Sequence, residues 1–394
     1  MTEASKISRE HYFDWAATSP TDEEIVRKAL DVSLEHWGNP SSIHEAGTDA
    51  KKALSGARLM AAEALGVKAE TLFFTSGGTE SDHIPLLSML TRPNKGSVIL
   101  SAIEHPAMRE MAKAMENCGW KIITVGPDKN GFILPESIVE KIQDDTTFVS
   151  VMAVNNETGA VQPYAEIAKS IEEACKGKRK PVFHVDCVQG AGKIPLDLSK
   201  VDAASFSAHK IGGPRGIGLL YLKKQITPFL RGGGQEGGIR SGTENLFGAT
   251  ALAMCLKKYA ISTRNPDSMK RFKEQVEMTG RFLKSLAEIP GCKIIPHGRM
   301  ENSALDFSPW IVQAAFPGIP GQVMERALSE QGFYISTGSA CSSGKQSRPV
   351  LDSMNVSREE KESSVRFSFG FSTTEKAMCD LLEKVKEIAA RFAR

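Results

Sequence analysis

Residues 204–216 read ASFSAHKIGGPRG, and this run decides the fold class. It follows a short apolar stretch and ends in a glycine-rich turn before a second apolar run, residues 217–222. Small residues flank Lys210, which leaves room for another molecule beside the backbone. A desolvated lysine has a lowered pKa and can attack a carbonyl carbon as an amine. The run therefore indicates either a lysine that binds a carbonyl cofactor, such as pyridoxal phosphate (PLP), or a structural turn.

Short apolar strands alternate with amphipathic helices around this run. We expect seven strands, at residues 71–74, 97–101, 121–125, 147–153, 182–186, 203–207 and 218–222. Strands separated by helices need crossover connections, which give a mostly parallel sheet covered on both faces. The sequence therefore predicts an α/β fold with Lys210 in a loop that follows one of the strands.

The pattern changes near residues 262–267, where a polar segment with a proline interrupts the alternation. A long charged helix, short strands and a last amphipathic helix at 374–392 follow. We expect an N-terminal arm over residues 1–20 that packs with a small domain. The large domain then covers residues 21–262, and the small α+β domain covers residues 263–394. A chain of 394 residues is long enough for this division.

The composition excludes several classes of protein. Hydrophobic residues make up 41% of the chain, charged residues make up 24%, and the formal net charge is +2. These values are typical of a globular protein without strong attraction to nucleic acid or anionic membranes. The N-terminal residues lack the apolar core of a signal peptide, and no apolar run is long enough to span a bilayer. We therefore expect a cytoplasmic protein.

The seven cysteines do not form a metal-binding or redox motif, because no two of them are spaced C-x-x-C. We expect no metal site, and most of the thiols should be reduced and buried in the core. Cys341 differs from the others because the surrounding residues 338–344 are rich in glycine and serine.

Three other strand ends carry residues that suit a flat, charged ligand. Residues 75–81 (TSGGTES) form either an anion-binding helix start or an ordinary capped turn. His105 is either a structural residue or a ring that stacks on the ligand. Asp186 either caps a helix or pairs with a pyridinium nitrogen, with Gln189 near a ring oxygen. The order of these features before Lys210 is more specific than any one of them.

At this point the chain resembles the cysteine desulfurases, PLP enzymes of the class V aminotransferase superfamily. The resemblance extends from Phe13 to about Phe371. The matching blocks are FDWAATSP, NPSSIHEAG, TSGGTES, EHPA, NNETGAVQP, HVDCVQGAGKIP, SAHKIGGPRGIG, GGGQEGGIRSGTEN, STGSACSSG and RFSFG. It implies the fold type I architecture of PLP enzymes, a homodimer, and conversion of L-cysteine to L-alanine.

The resemblance also implies a role for each residue of the site. Lys210 would form a Schiff base with PLP and shuttle a proton, and His105 would stack on the ring and assist proton transfer. Asp186 and Gln189 would contact the pyridine nitrogen and the phenolic oxygen. Within one subunit, the phosphate would be held by Gly78, Thr79, Ser207 and His209. Thr243 of the partner subunit would add a further contact. The substrate would be bound by Asn156 and Arg366, the latter through a bidentate contact with its carboxylate.

Cys341 matches the residue that accepts sulfur in this family. It would carry a persulfide to an acceptor or scaffold protein, for iron–sulfur clusters or another sulfur-containing cofactor. The polar stretch from Gly344 to Val365 resembles the long catalytic loop of the iron–sulfur-cluster and nitrogen-fixation branch. Two alternatives stay open: a selenocysteine lyase or cysteine-sulfinate desulfinase with the same PLP residues, and a catalytically idle paralogue that acts as a scaffold. Three residues depart from the usual family pattern, namely Trp15, Asp82 and Gly237.

Overall fold

A computed structural model describes residues 8–262, 264–338 and 348–392. Its main sheet has the strand order β1-β7-β6-β5-β4-β2-β3. The strands are β1 (Leu72–Thr75), β2 (Ser97–Ser101), β3 (Lys121–Val125), β4 (Thr146–Ser150), β5 (Val182–Asp186), β6 (Ala203–Ser207) and β7 (Gly218–Leu222). Strand β7 is antiparallel to β1 and β6, and the other neighbours are parallel. The prediction of a mostly parallel, seven-stranded sheet is confirmed.

Helices cover both faces of this sheet, as its parallel connections require. They are α1 (Glu23–Glu35), α2 (Glu45–Leu65), α3 (Gly78–Leu87), α4 (Pro106–Asn117), α5 (Pro135–Val139), α6 (Tyr164–Ala174) and α7 (Leu246–Tyr259). Every residue of β2, β4, β6 and β7 is buried, which explains their uninterrupted apolar and small residues. In the described ranges, no helix combines the length and apolarity needed to cross a bilayer.

A second, antiparallel sheet has the order β10-β9-β8, with β8 (Lys293–Ile295), β9 (Ile311–Ala315) and β10 (Ser364–Ser368). The helices described in this part of the chain are α8 (Pro266–Ala287), α9 (Gly321–Glu330), α10 (Pro349–Ser353), α11 (Arg358–Glu362) and α12 (Glu375–Phe392). This sheet shares an apolar core with α8, α9 and α12. The polar stretch before Val365 is not a continuous loop, because its described part contains α10 and α11.

The N-terminal arm, defined here as residues 12–19, makes hydrogen bonds to the small sheet and to the turn that follows β6. On the side of the small sheet, Phe13 N donates to Tyr334 O at 2.7 Å, and Ser368 N donates to Phe13 O at 2.8 Å. On the side of the large sheet, Ser19 N donates to His209 O at 2.7 Å. The arm therefore connects the last strand of the chain with the loop that carries Lys210.

Two local features differ from a reading of the sequence alone. A capping box at Thr21 and Glu24 predicts the start of α1, but the cap is Asp22, whose Oδ1 accepts from Ile25 N at 3.2 Å. The cysteines are less uniformly buried than expected. Of the described ones, half are buried, and Cys118 and Cys379 are exposed. Cys341 lies outside the described residues.

Candidate active site

The carboxyl ends of β5 and β6 carry the centre of the site. Asp186 is the last residue of β5, and Ser207 is the buried last residue of β6. A single 3₁₀ turn, Ala208–Lys210, follows β6 directly. Since β5 and β6 are parallel neighbours, their ends meet at the edge where open α/β sheets bind ligands. The strand ends that the sequence singled out therefore converge.

Lys210 is half-buried and bonded to the N-terminal arm. Its Nζ donates to Ala16 O and to Ala17 O, both at 2.7 Å. Burial is the main cause of the shifted pKa of three groups around it, namely His105, Asp186 and His209, and the positive charge of Lys210 acts to lower the pKa of each. Lys210 is therefore close enough to three other predicted site residues for its charge to affect their protonation.

His105 caps helix α4, because its Nδ1 accepts from Ala107 N at 3.2 Å. Burial lowers the pKa of His105 to about 4, and the charges of Lys210 and Arg109 act in the same direction. The imidazole is therefore neutral at pH 7. Because Nδ1 accepts an N–H group, the ring proton is on Nε2, which can donate but cannot accept. To deprotonate a thiol through Nε2, the ring would first have to release that proton.

Asp186 is buried, and no ion-pair partner of its carboxylate is found among the described residues. Its Oδ1 accepts from Val188 N at 2.8 Å. Burial raises the pKa of Asp186 to about 6, although the Val188 N–H group and the charge of Lys210 act in the opposite direction. A buried carboxylate is stabilised by a cationic N–H donor, and a pyridinium nitrogen is such a donor.

Helix α3 begins at the proposed phosphate turn. No described side chain caps its first turn, and Gly78 is its first residue. A Cβ added at the preceding Gly77 would meet no atom within 4 Å, so the space beside this turn is open. Thr79 is exposed to that space. The free N–H groups and the positive end of the helix dipole suit a phosphate.

The other two predicted phosphate ligands are His209, which contacts the N-terminal arm, and Thr243, which lies in an exposed segment. His209 Nδ1 is 3.2 Å from Thr18 Oγ1, and burial lowers the pKa of His209 to about 4. Thr243 is exposed in the segment before α7. Its assignment requires a second subunit and stays a prediction.

Both polar atoms of the Gln189 amide are hydrogen-bonded, and its partner Lys193 was not predicted from the sequence. Its Oε1 accepts from Lys193 Nζ at 2.5 Å, and its Nε2 donates to Ala16 O at 2.8 Å. Lys193 is only 3% exposed and has no described carboxylate within ion-pair distance. Burial lowers the pKa of Lys193 well below its usual value, and the charges of Lys210 and Arg366 add to this effect. A buried lysine directly after the two glycines of the HVDCVQGAGKIP block left no clear signal in the sequence.

Arg366 is 2% exposed and lies on β10 of the small sheet. Its Nη1 donates to Asn156 O at 2.9 Å, and its Nη2 donates to Asp14 Oδ1 at 2.7 Å. Its Nε is buried without a partner among the described residues. Arg366 and Asn156 are therefore together, as predicted for a substrate site, although the contact of Asn156 is through its carbonyl group. Asp14 was not assigned a role from the sequence.

A network of buried polar groups lies behind Asp186. Ser150 Oγ is 2.9 Å from His184 Nδ1 and 3.5 Å from Glu104 Oε2. On the other side of the ring, His184 Nε2 is 2.9 Å from Ser205 Oγ. Glu104 is buried, and burial raises its pKa to about 8. The network joins β2, β4, β5 and β6 beneath the site.

The structure accounts for two of the residues that depart from the family pattern. Trp15 packs its ring over Gly370, where an added Cβ would overlap the indole. Gly237 has a φ of 62°, a left-handed conformation that glycine adopts at little cost. The third, Asp82, is buried in helix α3 next to His184.

Taken together, the residues of this site match the chemical groups of PLP. The uncapped start of α3 suits the phosphate, the buried carboxylate of Asp186 suits the ring nitrogen, and the amine of Lys210 suits the aldehyde. The neutral ring of His105 lies within the electrostatic reach of Lys210. The structure does not place Cys341, which lies outside the described residues.

Comparison with known proteins agrees with this geometry. The family model described as "Aminotransferase class-V" matches residues 11–381. The "Cysteine desulfurase IscS" of Methanosarcina thermophila is 35% identical over 402 residues, which cover 99% of this chain and 95% of that protein. A "Putative cysteine desulfurase IscS 1" of Bacillus subtilis is 33% identical, with 97% of this chain and 99% of that protein covered.

Solved structures give the same result. A structure titled "NIFS-LIKE PROTEIN" is 33% identical, has a TM-score of 0.85, and covers 97% of this chain and 100% of its own. A NifS-like protein from Rickettsia africae is 26% identical, with a TM-score of 0.82 and coverage of 97% and 99%. From the match over nearly the whole chain and the shared architecture, this chain belongs to the class V aminotransferase family, in its cysteine desulfurase group of the IscS and NifS type.

Proposed function

We propose that this protein is a PLP-dependent cysteine desulfurase, which converts L-cysteine to L-alanine and receives the sulfur as a persulfide on Cys341. One observation carries the proposal: a single short segment contacts both Lys210 and Arg366. Asp14 bonds to Arg366, and the Ala16 carbonyl bonds to Lys210. Residues two apart are separated by at most about 7 Å in an extended chain. The two side chains therefore contact one segment of three residues, which supports a site where a small amino acid binds Arg366 through its carboxylate and presents its α carbon to Lys210 Nζ.

The roles of the protein groups follow from their surroundings. When bound, PLP withdraws electrons from the α carbon of an amino acid, which makes its α proton acidic. Lys210 Nζ takes that proton and returns it. Asp186 would stabilise a positive charge at the ring nitrogen. The Nε2–H group of His105 would donate a hydrogen bond to the bound cofactor or substrate. Arg366 fixes the substrate carboxylate, because a buried guanidinium recognises a carboxylate strongly.

Cys341 completes the reaction. The thiolate, rather than the thiol, is the nucleophile, and an unperturbed cysteine has a pKa of about 8.5. The Sγ of Cys341 forms an S–S bond with the substrate sulfur, whose bond to Cβ breaks. The β carbon takes up a proton and gives L-alanine, and Cys341 retains one added sulfur atom. Removal of that sulfur requires an acceptor thiol, which an acceptor or scaffold protein would supply for iron–sulfur cluster synthesis.

The test measures both products of one turnover. Purified holoenzyme is incubated with L-cysteine without reductant, alanine is quantified, and peptides are weighed by mass spectrometry. We expect alanine together with one added sulfur on the peptide that holds Cys341. Cys341→Ser should still bind L-cysteine but release no sulfur, whereas Cys118→Ser, which changes an exposed cysteine, should behave as the wild type. Sulfur on another peptide, or full activity of Cys341→Ser, would contradict the mechanism.

The same variant separates the alternatives. A selenol leaves more readily than a thiol, so a selenocysteine lyase depends less on a thiol nucleophile. If Cys341→Ser turns over selenocysteine at the wild-type rate, selenocysteine is the better assignment. If the wild type with bound PLP produces no alanine from either substrate, the scaffold assignment replaces both.

A homodimer is part of the proposal. Large apolar side chains are exposed on two segments. The first has Leu34 in the last turn of α1, followed by Trp37 and Ile43, and the second has Phe229 and Leu230, close to the start of the glycine-rich loop at residues 231–245. Thr243 lies in that same loop, and its proposed phosphate contact is with a second copy of the chain. Sedimentation should show a dimer, and Trp37→Asp should shift the protein towards monomer. A fully active wild-type monomer at low concentration would exclude this arrangement.

The domain division and the location also belong to the proposal. Two separate sheets, joined through the arm and the 262–267 segment, support a large part at 21–262 and a small part at 263–394. Limited proteolysis of the holoenzyme should cut near residues 262–267 before it degrades either part. Cytoplasmic residence rests on the sequence alone and is tested by cell fractionation.

A further inference from the structure

We propose that Asp14 is a resident counter-ion of Arg366 that occupies the place of the substrate carboxylate and is exchanged for it. The inference rests on the proposed function, because it assumes that Arg366 binds the carboxylate of an amino acid. Its new content is that Asp14 opposes binding and thereby sets how tightly the site holds small carboxylates.

The pair has one fixed member and one movable member. Arg366 is 2% exposed and is also held through Asn156 O, whereas the Asp14 side chain is 20% exposed. Arg366 is the only described residue that bonds to the Asp14 carboxylate. The backbone of Asp14 is held independently, because Asp14 O accepts from Ala17 N at 3.0 Å. The carboxylate can therefore rotate into water without displacing the arm.

Arg366 has donor capacity for an incoming anion. Its buried Nε has no described partner, and Nη2 is satisfied only by Asp14. A carboxylate that bonds Nε and Nη2 side by side makes the bidentate contact that guanidinium groups favour. That contact requires the position of Asp14 at Nη2, so the two carboxylates compete.

Nearby negative charge favours exchange over shared binding. Glu325 on α9 lies close enough that the charges of Asp14 and Arg366 both affect it. Burial and the charge of Asp14 raise the pKa of Glu325. Arg366 therefore already interacts electrostatically with two acidic side chains. A third carboxylate adds repulsion, which is relieved when Asp14 moves out to water.

Exchange and simple positioning predict opposite effects of the same substitution. If Asp14 competes, Asp14→Asn removes the competitor, and L-alanine should bind about fivefold more tightly, as expected for a partly exposed ion pair. The KM for L-cysteine should fall, and inhibition by the product should become stronger. If Asp14 only orients Arg366, the same variant should bind L-alanine more weakly.

The experiment is calorimetric titration of the holoenzyme with L-alanine, supported by KM and kcat for L-cysteine. Asp14→Asn is compared with wild type, with Asp14→Ser as a second neutral variant, and with Asp31→Asn, which removes an exposed charge elsewhere. Tighter binding in both Asp14 variants but not in Asp31→Asn supports exchange. Unchanged or weaker binding in the Asp14 variants overturns it.

Arg366→Gln distinguishes the two levels of the argument. If L-alanine no longer binds to this variant, the carboxylate site is correct, and the Asp14 result tests exchange alone. If L-alanine binds to Arg366→Gln as to wild type, the assignment of the substrate site fails, and the exchange proposal fails with it.

Discussion

The Asp82 carboxyl faces the His184 imidazole in the interior, with 3.5 Å between Asp82 Oδ1 and His184 Nε2. Neither side chain reaches solvent. Burial lowers the pKa of His184 to about 3, so the ring is neutral. Burial also raises the pKa of Asp82 well above its usual value, and the negative charges of Asp186 and Glu104 add to this. Because the ring is neutral, the contact is not an ion pair.

The contact with a neutral ring predicts that position 82 tolerates an uncharged polar side chain. Asp82→Asn keeps the size and a polar contact with His184 without a charge, so the free energy of unfolding at pH 7 should change by less than about 0.5 kcal/mol. Asp82→Leu removes the polar partner and should cost about 1–3 kcal/mol. Chemical denaturation of both variants makes the comparison. Equal destabilisation of the two would show that Asp82 is charged in the folded protein.

The second prediction concerns pH and Glu104. The pKa of Glu104 is raised to about 8 in the folded protein, so the folded state binds a proton that the unfolded state releases above about 4.5. This contribution is complete below the unfolded pKa and is lost as pH rises through 8. Glu104→Gln cannot titrate. Between pH 6.5 and pH 8.5 the melting temperature of the wild type should therefore fall more than that of the variant. Parallel pH profiles for the two proteins would contradict the shift.

The third prediction compares two ion pairs. Glu236 is buried, and its carboxylate accepts from Arg58 at 2.7 Å through both oxygens and from Phe74 N. Glu236→Ala leaves the partly buried guanidinium of Arg58 without its carboxylate and the Phe74 N–H group without its acceptor, and should cost about 3–5 kcal/mol. The control is Glu362→Ala, which removes the exposed i,i+4 pair with Arg358 and should cost at most about 0.5 kcal/mol. Chemical denaturation measures both. Similar losses would mean that the buried pair is compensated by solvent.

The fourth prediction concerns Lys193. Lys193→Met keeps the length of the side chain but leaves Gln189 Oε1 without its donor. The loss of one buried hydrogen bond is worth about 1–3 kcal/mol, so the dissociation constant for PLP should rise at least about fivefold. Fluorescence titration of apoprotein with PLP measures this directly. Lys200→Met, an exposed position, is the control. Wild-type affinity in Lys193→Met would show that Gln189 does not need this partner.

The sequence was most informative where periodicity was regular. The predicted bounds of six strands agree closely with the structure, because each strand is a short run rich in apolar residues that turns or helices separate from the next. The sequence placed Asp186 and Lys210 at the ends of two strands. In the structure these strands are parallel neighbours, and the charge of Lys210 acts on Asp186. Residues 333–336, which read as a strand, form only single bridges at Tyr334 and Ser336.

The partners of the site residues were beyond the reach of sequence patterns. Lys210 bonds to the carbonyl groups of Ala16 and Ala17, and carbonyl groups leave no mark in a sequence because every residue has one. The pair of Asp14 and Arg366 joins residues 352 positions apart. Neither a motif nor a helical or strand period connects positions so distant, so only the folded chain shows them.

The contacts of the arm also fix when the site can form during synthesis. Ala16 N donates to Ser368 Oγ, and Ser368 lies on the last strand of a chain of 394 residues. Although the first part of a nascent chain generally folds first, the arm cannot make this contact until β10 has left the ribosome. A ribosome-stalled chain that ends before Ser364 therefore contains Lys210 and the whole large sheet but lacks Arg366 and the strand on which the arm docks. The arm is made early in synthesis, but it can join Lys210 to Arg366 in the candidate site only after β10 has been made.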